Sequence, residues 1–315
     1  MDISYLLWLQ EIRKTADTIW SSLMNGISSF GVSYAMLLPI FIYWCWDKRR
    51  GLLTLVSLYL CIALTAIIKL MACIYRPWIK DPRIIPAGKI PTSYSFPSRH
   101  ASMATTIYIG SSVTLWQHKY TKWLVIICVV LALLTGFSRN YLGVHTPQDV
   151  LVGLLLSAVC LCSVWKLGEY LHKHPQKENC ILFWTAIFCL IALVYICHKS
   201  YPMDYVDGKL LVNPNKAIPS GFENISTLFS FCIARYIEKR WVRFHVTGLN
   251  MKGILYGIGG MIIFCLIFFL SDKPLSNLLG KDWGRFLRSA LLVFYVITLY
   301  PLILKYLCPP HISNK

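Results

Sequence analysis

Charge is scarce in this chain. Of its 315 residues only 14% are Asp, Glu, Lys or Arg, where a soluble globular domain carries about a quarter. Acid is scarcer still, 14 carboxylates against 31 Lys and Arg. Asp204, Asp207 and Asp272 are the tempting trio as metal ligands, but their spacing fits no ligand set, and they read as solvated loop residues. No CxxC pair occurs among the twelve cysteines. Cys61, Cys128, Cys160, Cys162, Cys189, Cys232 and Cys265 lie inside apolar runs, as small packing residues do. The N-terminus lacks a charged segment followed by an unbroken apolar core, so no cleavable signal is expected. There is no soluble basic module either. The formal net charge of +17 therefore points to anionic headgroups and an anionic substrate, not to nucleic acid.

What the chain has in abundance is apolar sequence: 56% hydrophobic residues and a mean hydropathy of +0.56. Stretches of membrane-spanning length recur, which predicts an all-α, polytopic transmembrane helical bundle. About nine spans are read, over 26–46, 51–72, 100–116, 123–138, 149–165, 181–197, 219–237, 253–271 and 286–306. Ahead of them, Tyr5, Trp8, Leu9, Ile12, Ala16, Ile19, Trp20 and Leu23 recur at helical spacing against Gln10, Glu11, Arg13, Lys14 and Asp17. That pattern predicts an amphipathic helix over 3–23, lying in the membrane interface or packed on the bundle. Three regions follow: 1–25 interfacial, 26–180 a core that bears the polar motifs, and 181–315 further helices that could wall or cover it. Loops after odd-numbered spans carry Lys48-Arg49-Arg50 and Lys239, Arg240 and Arg243, which makes them the cytoplasmic candidates, by a modest excess over opposite loops that carry Lys80, Arg83, Lys199 and Lys209. The N-terminus and the polar motifs then face the other side. Asn224-Ile225-Ser226 fits a glycosylation sequon but sits against a span and carries little weight.

The motifs lie at the ends of apolar runs. Ser98 follows Pro97 at the start of one predicted helix, and Thr146-Pro147-Gln148-Asp149 starts another with a capping pattern. His100 and His145 are thus each within about a turn of a helix N-terminus, where free N–H groups favour anions. Lys69, Arg76 and Arg139 add charge for a phosphoryl group. His145 and Asp149, four apart, allow a carboxylate–imidazole contact. His100 is suited to protonating a leaving oxygen.

In sequence these residues read Lys69, six residues, Arg76-Pro77; then Pro97-Ser98-Arg99-His100; then Ser138-Arg139, five residues, His145, three residues, Asp149. The pattern resembles the three-part signature of the type 2 phosphatidic acid phosphatase superfamily, over roughly residues 60–165. The resemblance implies a metal-independent, cofactor-free phosphatase. His145 would be the nucleophile that forms a phosphohistidine, Asp149 its orienter and His100 the general acid. Lys69, Arg76, Ser98 and Arg139 would hold phosphate with the backbone N–H near Arg99. Arg99 stands where the family often has Gly, a bulky cation at the pocket rim that bears on the choice of leaving group. A lipid phosphate or polyprenyl diphosphate is the expected substrate. A sugar phosphate, as in the glucose-6-phosphatase branch, is the alternative, and an anion or lipid transporter that has kept the pocket is the alternative of another class. A bacterial-type plasma membrane with an outward site is expected, or an endoplasmic reticulum membrane with a luminal one.

Overall fold

The computed structural model describes residues 2–15, 18–88, 90–116, 122–206, 208–246 and 248–307. Ala16, Asp17 and Asp207 lie outside them. The described chain is a helical bundle. In order it runs α1 (Asp2–Thr15), α2 (Thr18–Ser33), α3 (Leu37–Phe41), α4 (Lys48–Ala72), α5 (Pro77–Lys80), α6 (Arg99–Trp116), α7 (Lys122–Tyr141), α8 (Pro147–Lys173) and α9 (Glu178–His198). A two-residue antiparallel hairpin, Tyr205–Val206 with Lys209–Leu210, precedes α10 (Pro214–Ile237), α11 (Met251–Leu270), α12 (Asp272–Phe294) and α13 (Tyr300–Leu307).

Seven described segments are long and apolar enough to cross a membrane. α6 and α10, both among the nine spans read from sequence, are not among the seven. Their position explains the difference. α6 packs against α4, α7 and α8, and α10 against α4, α9 and α12, so both helices face protein on most sides. A central helix needs less apolar surface than one facing lipid, and small polar residues let neighbours approach closely. Ser102 and Thr106 of α6 turn their hydroxyls back onto the carbonyls of Ser98 (3.0 Å) and Ser102 (2.8 Å), and Ser102 also meets Thr65 of α4 at 3.3 Å, which satisfies them within the bundle. Asn224 of the sequon is buried in α10.

The N-terminal helix expected over 3–23 is helical on both sides of Ala16 and Asp17, which lie outside the described residues. α1 ends at Thr15, and residues 18–23 begin α2, the first membrane-length segment. α1 is docked: Gln10 donates to the carbonyl of Arg83 (3.0 Å) and accepts from the Ile85 N–H (2.7 Å), while Arg13 reaches the Tyr141 carbonyl (2.9 Å). These bonds hold the 81–87 loop, so polar residues that look like a solvated face in sequence anchor the helix. Trp8 and Ile12 on its other side remain exposed. In α12 the chain breaks at Gly280 (φ 77°), a left-handed position that favours glycine. The apolar stretch therefore begins after it.

One end of the bundle is closed by ions. Glu238, buried at the end of α10, takes Lys48 at 2.6 Å and also pairs with Arg235, while Glu178 takes Arg235 (2.8 Å) and Lys239 (2.7 Å). The opposite end carries the motifs. There Gly153 lets α8 meet the start of α6. A Cβ at Gly153 would lie 2.8 Å from the Ser98 carbonyl oxygen, which is backbone and cannot swing away. Gly153→Ala is expected to cost about 1–3 kcal/mol. A thermal-unfolding midpoint in detergent equal to wild type would show that the close approach is not needed.

Candidate active site

The end of α4, the start of α6, the end of α7 and the start of α8 converge on one face. α4 stops at Cys73, whose left-handed conformation (φ 49°) caps the helix through a hydrogen bond to the Lys69 carbonyl (3.1 Å) and turns the chain toward Arg76. Lys69 in the last turn donates to the carbonyls of Tyr94 (3.1 Å), Ser95 (2.8 Å) and Pro97 (2.8 Å). Its three N–H bonds thus hold the 94–97 loop, and its charge still faces the cavity. The Ser98 N–H donates to the Asp149 carbonyl (2.9 Å), which ties the two helix starts together and sets one histidine against the other.

His145 sits in the turn between α7 and α8. Its Nδ1 lies 3.3 Å from Asp149 Oδ2. That oxygen also accepts the Thr146 N–H (2.9 Å), while Thr146 Oγ1 accepts the Asp149 N–H (3.3 Å), a reciprocal capping box. Ser95 Oγ donates to the same Oδ2. Asn140 holds the His145 carbonyl at 2.9 Å. On the other edge of the ring, Nε2 is 2.9 Å from Arg76 Nη1, which also donates to the Val144 carbonyl (2.8 Å), and Arg76 Nε donates to Ser93 O (2.8 Å). Burial, with the cations of Arg76, Lys69 and Arg139, holds the His145 imidazole well below the usual range. The neutral ring with Nδ1–H on Asp149 leaves the Nε2 lone pair pointing at Arg76.

Beside this ring is a cavity of about 110 Å³, where a single water needs roughly 10–15 Å³. Lys69, Arg76, Arg99, His100, Arg139 and His145 all line it. Arg139 is buried. Its Nη1 donates to Ser28 of α2 (2.8 Å), but its Nε has no partner among the described residues. A buried guanidinium N–H left open beside a cavity is what an anion would satisfy. The start of α6, carrying Arg99 and His100, adds the positive end of its dipole. The far wall is α10, through Ala217, Ser220, Gly221 and Asn224. Among the described residues no group of three or more His, Cys, Asp or Glu side chains is placed to hold a metal ion.

Six of the eight site residues named from sequence therefore line one cavity, and Asp149 backs His145. Ser98 differs: it is fully buried, its Oγ accepts the Ala101 N–H (3.5 Å), and it is not part of the cavity wall. Its hydroxyl caps α6 instead. Ser95, Ser93 and Asn140 were not legible, nor was which residues of the 181–315 region form the wall. Ser95 lies two residues before Pro97 in a loop without periodicity, and α10 is separated from the motifs by more than sixty residues.

The model of the PAP2 superfamily matches residues 50–173. Phosphatidylglycerophosphatase B of Bacillus subtilis is 31% identical over 185 residues, which cover 54% of this chain and 80% of that protein. The chain belongs to the PAP2 superfamily. Undecaprenyl-diphosphatase of Sulfolobus acidocaldarius is similar at 31% identity over 141 residues, 44% of this chain and 66% of that protein. Human sphingosine-1-phosphate phosphatase 2 is 30% identical over 118 residues, 36% of this chain but only 28% of its own length. No solved structure matches. The matched PAP2 region runs from α4 to α8, so the α10 wall of the cavity lies outside it.

Proposed function

We propose that this PAP2 protein is an integral-membrane phosphatase acting on lipid phosphates through a phosphohistidine. One observation carries the reading: His145 has a carboxylate on Nδ1 and, at Nε2, a cavity lined by Lys69, Arg76, Arg99 and Arg139. The named activities of the Bacillus, Sulfolobus and human relatives, all on lipid-linked phosphates, support the substrate class. A phosphoryl oxygen that takes over the Arg76 Nη1 hydrogens frees the Nε2 lone pair to attack phosphorus. The phosphorus–ester oxygen bond breaks as His100 gives its proton to the leaving alcohol. Water then attacks the phosphohistidine, returns a proton to His100 and breaks the phosphorus–nitrogen bond. The buried cations balance the charge that spreads over the equatorial oxygens. The first region docks on the loop above the site, residues 26–180 hold the chemistry, and 181–315 supply the second wall. By the loop charges, the site faces away from the cytoplasm.

Protein purified in detergent is expected to release phosphate from lipid phosphates with EDTA present, and vanadate, a pentacoordinate mimic, is expected to inhibit. Phosphate binding without release from any lipid or sugar phosphate would favour a transporter. His100→Ala is expected to slow alkyl phosphates by about 10²–10⁴ and aryl phosphates, whose leaving group departs without a proton, far less. Equal loss on both would remove His100 from the role of acid.

A further inference from the structure

A second cavity of about 210 Å³ adjoins the first, and Arg99 and Asn224 line both. Its remaining walls are mostly apolar: Leu55, Leu58 and Ile62 of α4, Met103 of α6, Phe264 of α11 and Val293 of α12. At 1.5 Å per helical residue, Ile62 lies about 10 Å and Leu55 about 21 Å along α4 from Lys69. The cavity therefore extends from the phosphate pocket along α4 into the bundle. Hydrocarbon guests of benzene size enter buried apolar cavities of roughly 150 Å³. Polar groups gather at the junction, where Arg99, Asn224, Thr227 and Glu223 line the cavity and Glu223 pairs with Arg288 at 3.7 Å; elsewhere Ser33, Ser289 and Tyr59 interrupt the apolar wall.

We propose that this cavity takes the hydrocarbon chain of the substrate, and that the substrate is a single-chain amphiphile with a terminal phosphate or diphosphate. The inference rests on the phosphatase reading for its head group. One cavity leaving the phosphate pocket between two side chains admits one chain, whereas a two-chain glycerolipid would have to keep at least one chain outside. Arg99 explains its own presence here. Arg99 lines both cavities, so its cation is available to the anionic head and its apolar stem to the chain. The helices that close the cavity, α10 to α12, lie beyond the matched PAP2 region.

The test compares kcat/KM for a long single-chain alkyl phosphate with that for a short, water-soluble one, in wild type and in separate Val293→Trp and Met103→Trp variants. Filling the cavity is expected to lower the long-to-short ratio at least about tenfold. A ratio within about twofold of wild type in both folded variants overturns the proposal. A photoactivatable single-chain phosphate, with its reactive group in mid-chain, gives a second reading on the wild-type protein. Labelling of the α6 peptide that carries buried Met103 supports the cavity. Labelling confined to bilayer-facing residues such as Leu190 and Ile191 of α9 overturns it. If wild type cleaves neither phosphate, the phosphatase reading fails, and the photolabel still decides the cavity.

Discussion

His145→Ala is expected to lower kcat by about 10⁴-fold or more, since removing a covalent nucleophile leaves only the binding contribution of the site. No second group can take its place. His100 lines the same cavity but has no carboxylate partner among the described residues, whereas His145 has Asp149 at 3.3 Å and a capped, hydrogen-bonded turn around it. Vanadate or phosphate should still bind within about tenfold, because Arg76, Arg99 and Arg139 are untouched. Rapid quench with labelled substrate should trap an acid-labile, alkali-stable phosphoenzyme in wild type and none in the variant. A variant keeping a tenth of wild-type turnover would place the nucleophile elsewhere. The same environment fixes the pH behaviour. A ring held below the usual imidazole range takes up its proton only at lower pH. The proposed nucleophile therefore stays available below pH 6.5, and the acid limb of kcat/KM that would belong to His145 is expected on the acid side of that value.

The helical bundle was readable because lipid-facing helices must be apolar all round, and that signal survives without tertiary information. The two histidines were readable because capping is local: the Thr146–Asp149 box and the Pro-Ser start of α6 are written in four residues each. What failed to show follows from the opposite cause. Ser95 reaches Asp149 across fifty-four positions, and Arg139 reaches Ser28 across one hundred and eleven. Nothing in either local sequence anticipates those contacts. Ser98 shows the limit of a motif. The residue is where the pattern puts it, yet its hydroxyl is turned to the α6 N–H groups and away from the cavity.

Asp149→Asn separates two jobs that one carboxylate performs. Asp149 Oδ2 accepts from the Thr146 N–H, from Ser95 Oγ and from His145 Nδ1. All three are donors, so an asparagine must keep its amide oxygen at that position, and a flipped amide would set N–H against N–H. The capping box, the ring orientation and the tautomer with Nδ1–H therefore survive, and the variant is expected to fold. What is lost, on the proposed mechanism, is the negative charge that would balance the imidazolium formed as Nε2 bonds to phosphorus. Two unit charges 3.3 Å apart interact by about 5 kcal/mol at an effective dielectric near 20. Part of that is screened by the surrounding arginines, which leaves a kcat loss of about 10³-fold. KM should move little, because the phosphate-facing cations are unchanged. Asp149→Ala, which removes orientation and charge together, should cost more and should also lower the thermal midpoint. A turnover for Asp149→Asn within tenfold of wild type would reduce Asp149 to a helix cap and leave the charge of the phosphohistidine to be balanced by the phosphoryl oxygens alone.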